Sequence, residues 1–197
     1  MKLIALDTES GGLDIQYSLL DINLSILNDQ CEIVDRLNLK VKPDPDSFGR
    51  SSYLIQAEAL RVNKIDLAQH DLVAMPYKES KTTIYRWLEE MGTKHECRFT
   101  PMGQMVQRDI DLICHYTLSY PAWTNFVERR VIDTISLGMF ARDIGIFPPD
   151  QSLSLRNICK YLGIEVDEEL LHTADYDVIL GAKYYKWFKE HLGEIRI

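Results

Sequence analysis

Apolar residues fall in short runs over the first forty positions and in a helical rhythm afterwards. Residues 2–7 (KLIALD) are a short, mostly apolar run, the pattern of a buried strand. Residues 18–27 (SLLDINLSIL) and 32–42 (EIVDRLNLKVK) alternate well enough to predict two more strands, with Asn28-Asp29-Gln30 as the hairpin turn between them. SGGLD (10–14) and KPDPDSFGRSS (42–52) carry turn and loop chemistry.

Helical spacing begins near residues 54–62 (LIQAEALRV). It is stronger over 78–91, where Ile84, Trp87, Leu88 and Met91 share a face. Residues 97–102 suit a fourth strand, and 105–118 a helix with Val106, Ile110, Ile113 and Leu118 apolar. VIDT (131–134) reads as a strand end feeding a helix that Asp133 or Thr134 caps. Residues 152–164 predict a short helix ending at Gly163, and a last helix runs from about His172 to His191. Three consecutive strands followed by strands alternating with helices predict a mixed sheet, antiparallel in its first part and parallel in its later crossovers, with helices on its faces.

The 197 residues suit one domain, and 46% hydrophobic with 26% charged residues is the balance of a folded, soluble chain. No apolar stretch approaches the roughly 20 residues that span a bilayer, and MKLIALDTES is broken by an acid too early to be a signal peptide. The four cysteines (Cys31, Cys97, Cys114 and Cys159) form no CxxC pair, which fits reduced thiols and a cytoplasmic setting. A formal net charge of −8 argues against coating nucleic acid by bulk electrostatics. It leaves room for an enzyme whose carboxylates hold divalent cations, since two such ions restore about four charges locally.

Three acidic segments carry candidate chemistry. Asp7 and Glu9 lie two apart on an extended segment, so they point to one face; buried there, they repel unless neutralised. In His172-Thr173-Ala174-Asp175-Tyr176-Asp177, a helical His172 would sit about 140° around the helix from Asp177. His172 is therefore expected just before the helix or in its first turn, leaning over a site that Asp177 reaches. Ala174 lets that helix approach the sheet, Asp175 is assigned to solvent and Tyr176 to packing. The middle segment, Gly103-Gln104-Met105-Val106-Gln107-Arg108-Asp109, offers Asp109 on a helix after a strand, with Asp111 as the alternative. Asp109 shares its expected buried face with Met105, Val106 and Ile113.

In this order the segments resemble the DEDD superfamily of 3′→5′ exonucleases, in its histidine-containing branch, which includes the proofreading subunit of bacterial replicative polymerase, RNase T and oligoribonuclease. DTESGGLD matches the first motif (DxE and a Thr-Gly-Leu-like turn), GQMVQRD stands where the family has GxNVxxD, and HTADYD matches HxAxxD. The middle motif departs from the pattern: Met105 replaces the usual Asn and Arg108 the usual apolar residue, although the spacing from Gly103 selects Asp109.

The resemblance implies an α/β RNase H-like fold: a mixed five-stranded sheet flanked by helices. It implies metal-dependent hydrolysis of terminal phosphodiesters at the 3′ ends of single-stranded nucleic acid, releasing nucleoside monophosphates. Asp7, Glu9, Asp109 and Asp177 would hold two Mg²⁺ or Mn²⁺ ions, with Asp7 bridging and His172 as general base. Thr8, Gly11, Gly12 and Leu13 would contact the terminal nucleotide, with Leu13 wedged against a base. Arg129, Arg130, Lys183 and Lys186 are weighed as phosphate contacts against plain surface roles. The run of segments leans to DNA over RNA. An exoribonuclease or short-oligonucleotide nuclease, and a non-catalytic binding member of the fold, stay as alternatives, as do a homodimer and recruitment to a polymerase in trans.

Overall fold

The computed structural model describes residues 1–192. Strands β1 (Leu3–Ser10), β2 (Leu19–Leu27) and β3 (Ile33–Lys42) form an antiparallel meander. Strands β5 (Thr100–Gly103) and β6 (Ile132–Asp133) then add in parallel beside β1. Asn28 closes the β2–β3 turn, its side chain accepting from the Gln30 and Glu32 N–H groups. The sheet has six strands rather than five, in the order β4-β3-β2-β1-β5-β6. The sixth, β4 (Met75–Pro76), is a two-residue strand parallel to β3. It is too short for a period-two pattern to register in the sequence.

Between β3 and β4 lie α1 (Ala57–Asn63) and α2 (Leu67–Val73); the second has no counterpart in the expected elements. Helix α3 (Tyr77–His95) contains the predicted 78–91 segment, α4 (Val106–Tyr116) follows β5, and α5 (Tyr120–Trp123) is a single turn. Asp133 caps α6 (Thr134–Asp143) by accepting from the Ile135 and Ser136 N–H groups. Helix α7 (Leu155–Tyr161) is followed by Gly163 at φ 71°, and α8 (Ala174–Leu192) closes the described chain.

Period-two alternation in β1 decides which helix meets which residue. Ile4 and Leu6 face one side, in a core with Ile22, Leu24 and Ile26 of β2, Ile84 and Leu88 of α3, and Val106, Ile110 and Ile113 of α4. Leu3 and Ala5 face the other side and pack with Val178 and Ala182 of α8. Helices α6 and α7 pack against the outer flank of α8 through Ala141, Ile158, Leu180, Tyr184 and Phe188. Gly103 ends β5 where an added Cβ would lie 2.5 Å from the Leu6 carbonyl oxygen. That approach brings the start of α4 against the end of β1.

Asp175 keeps 44% of its side chain exposed, as a solvent-facing acid would, but it is also engaged by the sheet. Its Oδ1 accepts from Asn23 (3.0 Å) and Asn38 (3.1 Å) and pairs with Arg36 at 2.5 Å. Asn23 is fully buried; it donates to Asn38 Oδ1 and accepts from Ser25. The register explains the contact: Asp7 pairs with Asn23, and Asn23 with Asn38, so a polar row lies on the sheet face beneath the first turn of α8. Removing an acceptor of the buried Asn23 amide costs on the order of 1–3 kcal/mol, whereas the exposed Arg36 and Asn38 lose little. Asp175→Ala is therefore expected to lower stability by about 2 kcal/mol. Urea unfolding checks this, and a change under about 0.5 kcal/mol, the scale of an ordinary surface site, would refute it.

Candidate active site

The same alternation sorts the acids. Asp7 and Glu9 continue the Leu3/Ala5 row and point to the α8 face, while Thr8 continues the Ile4/Leu6 row towards α4. Asp177, one turn into α8, completes a set with Asp7 and Glu9 in which one carboxylate oxygen from each lies within 4.8 Å of the others. From the α4 side, Asp109 is 3% exposed and accepts a 2.6 Å hydrogen bond from the Thr8 hydroxyl. Asp111 points away, exposed, and accepts from Gln107 on its own helix. Met105 does not share the buried face as expected: it stands before the helix at φ 53° with 55% of its surface exposed.

Burial dominates the electrostatics. It holds the Asp7 carboxyl well above the usual range, with Asp109, Glu9 and Asp177 adding repulsion and Arg108 opposing it. Burial, then the charge of Asp177, pushes Glu9 up to about 9. Asp109 rises to about 7 through burial, against the pull of the Thr8 hydrogen bond and the Arg108 charge. Asp177 rises to about 6 by burial, against the charge and backbone of His172. Asp177 Oδ1 is buried without a hydrogen-bond partner among the described residues. Converging, desolvated, oxygen-only donors with an unsatisfied atom fit a hard divalent cation. Asp109 stands outside this three-oxygen set, one oxygen committed to Thr8.

His172 stands two residues ahead of α8 at φ 63°, exposed. It lines an open cleft of about 370 Å³ together with Asp7, Asp177, Gln104, Arg156 and Asn157. On the other side of Glu9 lies a second cleft of about 270 Å³, bounded by Thr8, Ser10, Gly12 and Leu13 of the turn, Gln56, Glu58, Ala59, Val62 and Asn63 around α1, and Arg108. Leu13 is 84% exposed at its rim. Gly11 and Gly12 are themselves buried: a Cβ on Gly11 would lie 2.7 Å from the Leu54 carbonyl oxygen, and one on Gly12 2.9 Å from Gln56 Oε1 as well as against the Tyr17 ring. Their smallness serves the close packing of the turn on residues 54–56.

Several neighbours escaped the sequence reading. Gln104 and Arg108 lie inside a segment already singled out. Asn63 donates to the Ser10 carbonyl, and Asp21 stands opposite Glu9 across β2, with Oδ1 3.8 Å from Nδ1 of buried His70. Only the strand register joins Asp21 to the site. Arg129 and Arg130 precede β6, which runs parallel to β1, so they sit towards the end of the sheet away from the acids, beside Arg98. Lys183 and Lys186 lie further along α8, beyond the turn that carries Asp177.

The mixed sheet flanked by helices is an exonuclease fold. Solved structures of similar shape include exonuclease I from Methylocaldum szegediense (TM-score 0.76, 16% identity, covering 98% of this chain and 41% of that one). Another is E. coli exonuclease I in complex with a dT13 oligonucleotide (TM-score 0.77, 17% identity, 98% and 42%). A third is the zinc-bound form of the E. coli enzyme in complex with single-stranded DNA (TM-score 0.74, 16% identity, 98% and 41%). This chain thus spans about two-fifths of the length of the structures it resembles. No family model and no curated protein sequence matches it.

The raised carboxyls set a stability test. Each binds a proton more tightly in the folded than in the unfolded state. Metal-free stability should therefore be fullest near pH 4, where unfolded carboxyls titrate, and decline as pH rises towards about 9, the value of Glu9. Ion-paired acids with lowered values, such as Asp35 and Asp71, act below that window. A cation binding the ionised trio should reverse the decline, by about 2.7 kcal/mol at a hundredfold excess over Kd. Scanning calorimetry between pH 5 and 8.5, with EDTA or with Mg²⁺ or Mn²⁺, checks this. A pH-independent Tm in EDTA would contradict it, as would a metal effect larger at pH 5 than at pH 8.5.

Proposed function

We propose that this chain is a metal-dependent 3′→5′ exonuclease acting on single-stranded nucleic acid, DNA by preference. The observation that carries this reading is the half-buried Asp7–Glu9–Asp177 set at a strand end, flanked on one side by the 270 Å³ cleft and on the other by His172. The resemblance of the motifs and the likeness to exonuclease I, one structure of which holds a dT13 oligonucleotide, support it and favour DNA.

Divalent cations bound at these carboxylates would supply the charge that neutralises a phosphodiester and the acidity that makes water a nucleophile at neutral pH. Asp7, Glu9 and Asp177 would hold them, and their mutual repulsion favours occupation. Asp109, with one oxygen oriented by Thr8, would hold a second ion through its other oxygen, the role the resemblance implies. His172, exposed on the wall of the cleft, would take the proton of the attacking water. The 10–13 turn would receive the terminal nucleotide, with Leu13 against its base. The products would be nucleoside 5′-monophosphates.

End-labelled single-stranded DNA and RNA, incubated with Mg²⁺ and with EDTA, test the reading. Stepwise loss from the 3′ end of the DNA, abolished by EDTA, is expected; undiminished activity in EDTA, or none on either substrate with Mg²⁺ and Mn²⁺ present, would refute it. His172→Ala should lower kcat by roughly 10²–10⁴ while Mn²⁺ affinity is kept. A collapse of metal affinity with normal kcat at saturating metal would make His172 a ligand instead. Asp109→Ala should remove most activity, and Asp111→Ala should leave rate and stability near wild type; the reverse pattern across a Mn²⁺ titration would overturn the assignment.

A further inference from the structure

Arg108 occupies a position where the resembled motif carries an apolar residue. Its guanidinium lies across the mouth of the turn: Nε donates to the Leu13 carbonyl (3.2 Å), and Nη2 to the Gly12 carbonyl (2.8 Å) and Ser10 Oγ (3.0 Å). A guanidinium has five N–H donors, and these bonds engage three of them. The two on Nη1 meet no acceptor among the described residues, and the side chain is half-buried on the wall of the 270 Å³ cleft. The group is thus held in one orientation by the turn that carries Leu13, with an uncommitted pair of donors.

The other walls indicate what those donors meet. Leu13, Ala59 and Val62 supply apolar surface suited to the faces of a flat heterocycle. Glu9 and Glu58 on the same cleft disfavour a free anion. A neutral base presenting two adjacent acceptors fits both conditions. Among unpaired bases, guanine carries such a pair in O6 and N7 and cytosine in N3 and O2; adenine sets a donor beside N7, and thymine has no two adjacent acceptors. Building on the exonuclease reading, we infer that Arg108 is a specificity-determining residue that selects guanine over adenine and thymine at the 3′-terminal position. It also makes the turn's position depend on α4, so the base reader and Asp109 ride on one helix.

The test is made on the ligand as well as on the protein. Binding of dGMP, dAMP, dCMP, dTMP and 7-deaza-dGMP to the wild-type chain is measured by calorimetry with Ca²⁺ present. In parallel, kcat/KM is measured with Mg²⁺ on oligonucleotides that differ only in the 3′-terminal base. At least a roughly fivefold preference for guanine over adenine and thymine is expected in both, the scale of one good base contact. It should shrink when N7 is replaced by carbon, and the guanine-to-thymine ratio should fall to near unity in Arg108→Leu. Arg108→Lys, with a single point of charge, should keep only part of the ratio and serves if the leucine variant does not fold. Equal affinity for all four monophosphates, indifference to 7-deaza substitution, or an unchanged ratio in Arg108→Leu would overturn the inference. A chain that hydrolyses no oligonucleotide but still binds dGMP selectively through Arg108 would sink the exonuclease reading and uphold this one; one that hydrolyses all four ends equally would do the reverse.

Discussion

The rest of the site depends on like charges held together half out of water. Asp7 and Glu9 are forced to one side by the pleat of β1, and Asp177 is brought to the same place by the docking of α8. Their desolvation and repulsion oppose ionisation, so the metal-free arrangement survives only because the surrounding packing holds it. A cation removes the conflict by supplying the missing charge. Strain of this kind is local, and the cores on both faces of the sheet offset it, with Ile4 and Leu6 on one side and Leu3 and Ala5 on the other.

Holding α8 down takes both apolar and polar contacts. Val178 and Ala182 lie on the Leu3/Ala5 row, while Asp175 is gripped by Arg36, Asn23 and Asn38 over β2 and β3. This grip lies in the same helical turn as Asp177, so one small polar network fixes the turn that carries it. On the opposite face, Gly103 lets α4 begin almost in contact with β1, and the Thr8 hydroxyl orients Asp109. The two faces of one strand therefore hold two separate acidic elements, the trio on one side and Asp109 on the other. Arg108 leads from the second back to the turn at the end of the strand.

This division accounts for a departure that looked minor in the motif. An apolar side chain before Asp109 would meet the cleft with a greasy surface, whereas Arg108 is pinned by two carbonyls and a hydroxyl and brings positive charge among the acids. The charge moderates the Asp7, Glu9 and Asp109 carboxyls, and the pinning gives the turn a fixed place relative to α4.

The strands β1 to β3, the turn at Asn28, the helices α3, α4, α7 and α8, and the cap at Asp133 were legible from residue order, because period, turn chemistry and capping are local. So were the convergence of Asp7, Glu9 and Asp177 and the burial of Asp109 against the exposure of Asp111, since helical phase sends those two in opposite directions. Tertiary structure decided the rest. It brought Asp21 opposite Glu9 and Asn23 opposite Asp7, because strand register is a relation between segments and appears in neither alone. It gave half-exposed Asp175 partners on β2 and β3, and carried Arg129 and Arg130 away from the site, because parallel pairing fixes which end of β6 lies near the acids. Gly11, Gly12 and Gly103 announced that backbone would come close. Only the folded chain showed that the approaching atoms belong to residues 54–56 and to Leu6.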